Sequence, residues 1–240
     1  MAENNRIRIL HVFHSFNMGG LENGVVNLIN GSDPKAFEHQ VCCLSTSGVA
    51  EKRLIRKIPI FEMNRREGND WGMIKNLFAL MKRQNPHIVH TRNWGSVDAI
   101  IPAKLAGVPR IIHSEHGWNN DDPRGKNIKR RAARKLLSYL VDHFIGVSED
   151  IGHWLVHSVG IPENKVSVVI NGVDTQKFRP GDKIKARQAM GFSERDFIIG
   201  TVGRLSPIKN QKMLLEAFSR LDHDGHDLSL VLVGDGPERQ

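Results

Sequence analysis

Short apolar, β-rich runs alternate with amphipathic segments along the whole chain, and this alternation constrains the fold more than any other feature. Runs suited to strands fall at 7–13, 39–44, 58–63, 87–90, 110–113, 143–147, 165–170, 197–202 and 228–233. Segments with helical periodicity fall between them, at 21–30, 71–84, 96–106, 126–140, 149–159 and 211–221. A strand–helix–strand rhythm of this kind predicts an α/β fold, with a parallel sheet covered by helices on both faces. Right-handed crossovers then give a doubly wound, Rossmann-like domain that binds ligands at the carboxyl ends of its strands.

The rhythm pauses once. Asn171-Gly172-Val173-Asp174 and Phe178-Arg179-Pro180-Gly181 are turn chemistry rather than periodic structure. We therefore expect a Rossmann-like domain at 1–170, a linker at 171–195 and the start of a second Rossmann-like domain at 196–240. One strand, one helix and a second strand cannot bury both faces of a sheet, so the second domain reads as incomplete and the chain as C-terminally truncated.

Composition excludes several classes. Of 240 residues, 40% are hydrophobic and 25% charged, a globular profile that argues against disorder or fibre. No apolar run reaches the roughly 18 residues of a membrane-spanning helix. The polar start, Met1 to Arg6, runs directly into an apolar strand and does not read as a signal peptide. Cys42 and Cys43 are neighbours in one strand, so they point to opposite faces and do not pair. Both read as small buried hydrophobes in a reducing, cytoplasmic setting. The net charge of +8 favours anionic partners without choosing among them.

Three strand ends carry chemistry. The first strand runs into His14-Ser-Phe-Asn-Met-Gly19-Gly20-Leu-Glu22, where paired glycines at a helix start admit a ligand to the backbone and offer free N–H groups to an anion. This is neither the dinucleotide fingerprint nor a P-loop, and a plain tight turn is the competing reading. The second is His113-Ser114-Glu115-His116-Gly117, where His116 would face the crevice and hydrogen-bond sugar hydroxyls or phosphate. His113 reads more readily as a histidine satisfied by the core. The third, Gly203-Arg204-Leu205-Ser-Pro-Ile-Lys209-Asn210, sets a bidentate phosphate clamp and a point charge at a helix start.

A cationic stretch at 124–135 contains Arg124, Lys126, Lys129, Arg130, Arg131, Arg134 and Lys135. Ile128, Ala132, Leu136 and Leu140 recur at helical spacing, predicting an amphipathic helix with one apolar and one cationic side. A solvated face is one reading; docking on an anionic membrane is the other. With no recognition module or stacking platform beside it, nucleic acid is not expected. Asp222-His-Asp224 spells a metal-binding Asp-x-Asp but reads as a polar loop. His153 and His157 lack a third ligand, so no metal is expected.

Taken together, these segments resemble retaining glycosyltransferase family 4, whose members have the two-Rossmann-domain GT-B fold. Gly19-Gly20-Leu-Glu22 resembles that family's glycine-rich acceptor-side loop, and Ser114-Glu-His116-Gly117 its active-site histidine segment. Ile170-Asn-Gly-Val-Asp174 resembles the approach to its linker; Val202-Gly-Arg-Leu205, Lys209-Asn210 and Val233-Gly-Asp-Gly-Pro-Glu-Arg239 resemble the start of its donor domain. The pattern is similar to bacterial exopolysaccharide-type sugar transferases. The resemblance implies transfer from a UDP- or GDP-sugar to a saccharide or lipid-linked acceptor with retention of configuration. It implies no metal or other cofactor; the membrane reading of residues 124–135 would set the chain in the cytoplasm at the inner face of the membrane. The resemblance implies that Gly20, Gly203, Arg204 and Lys209 bind donor phosphate, with Arg204, Lys209 and His116 catalytic. It makes Gly19, Glu22 and His116 the acceptor-side or sugar contacts. The family's later pair of donor-domain glutamates has no counterpart before Gln240. A non-catalytic acceptor-binding or scaffold module is the alternative. A nicotinamide-dependent oxidoreductase is disfavoured, because no GxGxxG with a following ribose-binding acid is present.

Overall fold

The computed structural model describes residues 6–17, 19–68, 70–118, 121–221 and 228–239. The chain divides into two compact units, Met1–Gly172 and Val173–Gln240.

The first unit is a seven-stranded parallel sheet. Its strands are β1 (Ile7–Phe13), β2 (Phe37–Cys43), β3 (Ile60–Glu62), β4 (Ile88–Arg92), β5 (Arg110–Glu115), β6 (His143–Gly146) and β7 (Val166–Val168). They lie in the order β3-β2-β1-β4-β5-β6-β7, the doubly wound arrangement that the alternation predicts. The order reverses between β1 and β4, which pair in parallel from Ile9 with Ile88 to Val12 with Thr91. The helices between them are α1 (Gly20–Gly31), α2 (Trp71–Gln84), α3 (Ile100–Leu105), α4 (Ile128–Leu137) and α5 (Glu149–His153).

Local chemistry sets these elements. Asp70 caps α2, its side chain accepting from the Met73 N–H at 2.9 Å. Asn85 closes it in the left-handed region at φ 45°. Between the caps, Met73, Leu77, Leu80 and Met81 repeat at helical spacing and are buried. The sheet's two faces feed separate apolar clusters. Cys42 packs into one, with Leu10, Val12 and Val89, and Cys43 into the other, with Phe13, Phe16 and Val41. Both thiols are free; burial, then the neighbouring Glu62 carboxylate, pushes Cys43 up to about 12.

Two expectations are corrected. The segment 126–140, expected as a helix with one apolar and one cationic side, is helical over Ile128–Leu137, and its cations divide between the core and the solvent. Ile128, Leu136 and Tyr139 are 77%, 70% and 74% exposed, and Arg134 is buried. The reason is that the neighbouring structure supplies acceptors. Arg134 Nε donates to Glu115 Oε1 at 2.5 Å, with its guanidinium between the Trp94 and Trp154 rings at 4.9 and 5.2 Å. Arg131 donates to the Ser158 carbonyl at 2.8 Å, and Lys135 to that of Gly160. Arg134 is thus buried with its charge paired and hydrogen-bonded, as a buried charge must be, and Ile128, Leu136 and Tyr139 are left on the outer side. Gly125 precedes this helix at φ 61°; a Cβ there would stand 2.6 to 2.7 Å from Trp118 and Trp154 atoms. Only glycine lets the chain pass the two rings.

The second correction concerns 171–195, which carries a helix, α6 (Lys183–Ala189), capped by Asp182. The turn-forming residues flanking it hide its short amphipathic run. In the second unit α6 is followed by β8 (Phe197–Val202), α7 (Gln211–Phe218) and β9 (Leu228–Val233). The strands β8 and β9 pair in parallel along their full length. Asp222-His-Asp224 lies outside the described residues.

Candidate functional site

In a doubly wound sheet, the point where strand order reverses opens a crevice at the carboxyl edge. Here that edge receives the ends of β1, β4 and β5, and the chain ties them together. Asn93 follows β4 at φ 54° and ψ 176°, backbone space that is essentially glycine's alone. Two bonds hold it there. Its N–H donates to the Ser114 carbonyl at 2.8 Å, and its Oδ1 accepts the His116 N–H at 2.6 Å. Such a conformation costs about 1–3 kcal/mol, so the fold maintains strain at the residue that anchors His116. Gly95, in the next turn, lies against the β1 end, where a Cβ would meet that of His14 at 3.0 Å.

Below this edge runs a buried polar network centred on Arg92. One terminal nitrogen of its guanidinium donates to His11 Nδ1 and His90 Nδ1, each at 3.0 Å. The other donates to the His90 carbonyl at 3.1 Å. The group stacks over the Phe13 ring at 5.0 Å and forms no ion pair with a carboxylate among the described residues. Burial pushes its pKa down to about 9, leaving it charged at neutral pH. His11 continues to His39 at 2.9 Å, and His39 to Ser32 at 2.9 Å. His90 continues to Ser114 at 3.0 Å, and Ser114 to His116 at 2.9 Å. Burial, and then the Arg92 charge, hold His11 and His90 well below the usual histidine range and bring His116 down to about 4. All three rings are neutral at pH 7.

The expected residues divide as follows. His116 stands at the end of β5 in this network, whereas His113 is a core histidine, bonded to Thr91 at 2.8 Å and Glu115 at 3.1 Å. Gly19, Gly20 and Glu22 form the start of α1, at the same edge of the sheet as His116. The Glu22 carboxylate folds back against Gly19, while Gly20 is exposed and a Cβ there would meet nothing within 4 Å. Nothing within this unit requires glycine at position 20.

In the second unit, Gly203, Arg204 and Lys209 lie between β8 and α7. Arg204 and Lys209 are exposed, and neither side chain forms an ion pair among the described residues. The turn under them is firm. Leu205 N–H donates to the Asp235 carbonyl at 3.0 Å, and Gln211 Nε2 donates to the Arg204 carbonyl at 3.1 Å. Asn210, left-handed at φ 50°, caps α7 directly after Lys209. Two free cations therefore flank a helix N-terminus on a fixed turn, an arrangement suited to phosphate.

Motif reading gave no role to Arg92, Asn93, His90 or Ser114, although Ser114 lies within the His116 segment. One signal was present: His11, His90, Thr91 and Arg92 are polar residues within strands that must be buried on both faces. Buried polar groups in such strands need partners and mark something other than packing. Among the described residues no group of three or more His, Cys, Asp or Glu side chains could hold a metal ion.

Comparison with known proteins fits this geometry. The model of "Glycosyltransferase Family 4" matches residues 18–177, and that of "Glycosyl transferases group 1" matches residues 182–240. The chain is 26% identical over 239 residues to EpsF of Bacillus subtilis, covering 96% of this chain and 62% of that protein. It is 28% identical over 176 residues to the Escherichia coli UDP-Gal:alpha-D-GlcNAc-diphosphoundecaprenol alpha-1,3-galactosyltransferase, covering 70% of this chain and 45% of that one. Among solved structures, Anabaena HepE in complex with UDP and glucose shares the fold with a TM-score of 0.73 at 17% identity, over 96% of this chain and 62% of that chain. The chain thus spans less than two thirds of the length of these relatives. With the first family model covering most of its residues, the chain belongs to glycosyltransferase family 4.

Proposed function

We propose that this chain serves transfer of a hexosyl group from a nucleotide-sugar donor to a saccharide or lipid-linked acceptor, with retention of anomeric configuration. The observation that carries this reading is the pair of unpartnered cations, Arg204 and Lys209, on a braced turn at the N-terminus of α7. As the glycosidic bond breaks, negative charge grows on the departing diphosphate, and fixed cations with helix N–H groups stabilise it without a metal. Gly203 keeps the backbone beside Arg204 uncrowded, since a Cβ there would meet nothing within 4 Å. Gly20 admits phosphate to the start of α1, and Gly19 and Glu22 shape that loop for the acceptor. His116 supplies a neutral hydrogen-bonding ring to the sugar.

The HepE complex with UDP and glucose supports a UDP-sugar over a GDP-sugar as donor. The Escherichia coli relative, named for a diphosphoundecaprenol acceptor, supports a lipid-linked one. Transfer from UDP-glucose, UDP-galactose and GDP-mannose to an undecaprenyl-diphosphate sugar, followed by mass spectrometry, tests the reading. The anomeric coupling of the product by proton NMR reads the stereochemistry. A β-linked product from an α-linked donor would end the retention assignment. Gly20→Ala should cut transfer at least about 10-fold, the scale of about 1.4 kcal/mol lost in the transition state. Thermal stability should hold, because alanine suits an open helix N-terminus. Full activity in that variant would remove the α1 loop from the site. Acceptor binding with no transfer from any donor would instead favour the non-catalytic acceptor-binding module.

The outward face of α4 supports peripheral membrane contact at the inner leaflet. Ile128, Ala132, Leu136 and Tyr139 are exposed, with exposed Arg124, Lys126 and Lys129 beside them. Cations of this kind contribute about 1 kcal/mol each at an anionic surface. Lys126→Gln with Lys129→Gln should therefore lower partitioning onto phosphatidylglycerol vesicles by about 30-fold in a flotation assay. Equal binding of both proteins, or equal binding to phosphatidylcholine vesicles, would count against docking. No helix among the described residues is long and apolar enough to cross a membrane.

A further inference from the structure

Arginine can only donate hydrogen bonds, and this fixes a direction for everything bonded to Arg92. Its terminal nitrogen reaches His11 Nδ1 and His90 Nδ1, so both of those nitrogens must accept. A neutral ring that accepts at Nδ1 carries its proton at Nε2. His90 Nε2–H therefore donates to Ser114 Oγ, 3.0 Å away. The serine oxygen has then accepted one bond, and its own proton is free to donate to His116 Nε2 at 2.9 Å. No other acceptor for that proton stands among the described residues, so His116 Nε2 is the acceptor that leaves the fewest groups unpaired, and the single proton of this neutral ring sits on Nδ1. That nitrogen is buried and has no hydrogen-bond partner among the described residues. The second branch obeys the same logic and closes on itself. His11 Nε2–H donates to His39 Nδ1, His39 Nε2–H to Ser32 Oγ, and the Ser32 hydroxyl to the Ile29 carbonyl at 2.8 Å. One branch ends on the protein's own backbone. The other ends on a donor with no acceptor among the described residues.

We infer that Arg92 is a positioning residue which, through His90 and Ser114, locks His116 as the Nδ1–H tautomer and so presents a fixed N–H donor to an acceptor oxygen of the bound ligand. A buried N–H without a partner carries an uncompensated desolvation cost, and a ligand oxygen that meets it recovers that cost on binding. Discrimination follows from the direction. The locked ring favours a lone-pair oxygen at this point over a group that can only donate. That consequence rests on the proposed site, but the tautomer itself does not, because it is fixed before any ligand arrives.

The test is long-range proton–nitrogen correlation spectroscopy on the 240-residue chain with nitrogen-15 histidine, the His116 signals being assigned by His116→Gln. In the unliganded protein at pH 7.5, His116 should show a protonated Nδ1 and an accepting Nε2. Ser114→Ala should release the ring to the Nε2–H form that an unconstrained histidine favours. Arg92→Lys, still only a donor, should keep the Nδ1–H form, and Arg92→Met should lose it. An Nε2–H ring in the unaltered protein, or an unchanged tautomer in Ser114→Ala, would overturn the inference. Should Arg92→Met fail to fold, the serine variant alone decides. Adding UDP-glucose separates the two readings. An Nδ1–H form that no sugar nucleotide perturbs keeps the relay and removes His116 from the sugar site.

Discussion

The first unit should lose stability between pH 7.5 and pH 5, by up to about 6 kcal/mol, well before its carboxylates titrate. In the folded protein, burial and then the Arg92 charge hold His11 and His90 well below the ordinary value and His116 at about 4. In the unfolded chain each returns to about 6.5. Between those values the unfolded state binds protons that the folded state refuses, so stability falls as pH falls. The loss begins near pH 6.5 and is at most about 2 kcal/mol per histidine by pH 5. His39 is shifted in the same direction. Glu115 does not confuse the window. Burial alone would raise it, but the His113 hydrogen bond and the Arg134 charge outweigh burial and hold it below the usual carboxylate range. Its contribution is therefore complete above about 4.3 and is lost only below. Since a domain of this size is stable by about 5–15 kcal/mol, a loss on this scale removes a large share of its stability by pH 5. Trp71, Trp94, Trp118 and Trp154 all belong to this unit, so tryptophan fluorescence in urea at several pH values reports on it directly. His11→Asn keeps an oxygen for Arg92 and cannot titrate; it should remove about a third of the slope. Equal stability at pH 7.5 and 5 would show that these rings are not held neutral.

This sensitivity lies in residues that motif reading passed over, and the reason is physical. The strand–helix alternation was legible because period and turn chemistry are local. The pause near residue 172 was legible for the same reason, as was the opposite orientation of Cys42 and Cys43. Arg92 was not, because its meaning depends on the β1–β4 register, which sets His11 opposite His90. No spacing along the chain records that pairing. The orientation of α4 was hidden in another way. Its sequence has an apolar stripe and a cationic face, and either can point inward. The choice was made by acceptors far away in sequence: Glu115, the Ser158 carbonyl and the Gly160 carbonyl. Amphipathic periodicity identifies a helix and its two faces, and leaves open which face meets the core. The glycine-rich and arginine-bearing turns at Gly20 and Gly203 were visible as patterns. That neither glycine is required by its own unit emerged only from the space around them.

Arg204→Ala should lower kcat/KM for sugar transfer by about 10²–10³-fold while leaving unfolding unchanged. The two halves of this expectation have separate grounds. The side chain is exposed and forms no ion pair among the described residues, so removing it costs the fold no partner. Its backbone stays fixed through the Gln211 bond to its carbonyl and the Leu205 bond to Asp235, so the turn survives truncation. What disappears is a planar double donor placed where diphosphate charge develops, and one preorganised donor of this kind is worth about 2.7–4 kcal/mol in a transition state. Arg204→Lys restores charge without the planar fork and should recover only part of the loss. Lys209→Ala removes a point charge on a flexible stem and should cost less than Arg204→Ala. Because growing charge in the transition state is what the clamp serves, the Arg204→Ala defect should appear in kcat more than in KM. A defect confined to KM would make Arg204 a ground-state anchor for the donor. Unimpaired transfer by Arg204→Ala would take the phosphate assignment away from this turn altogether.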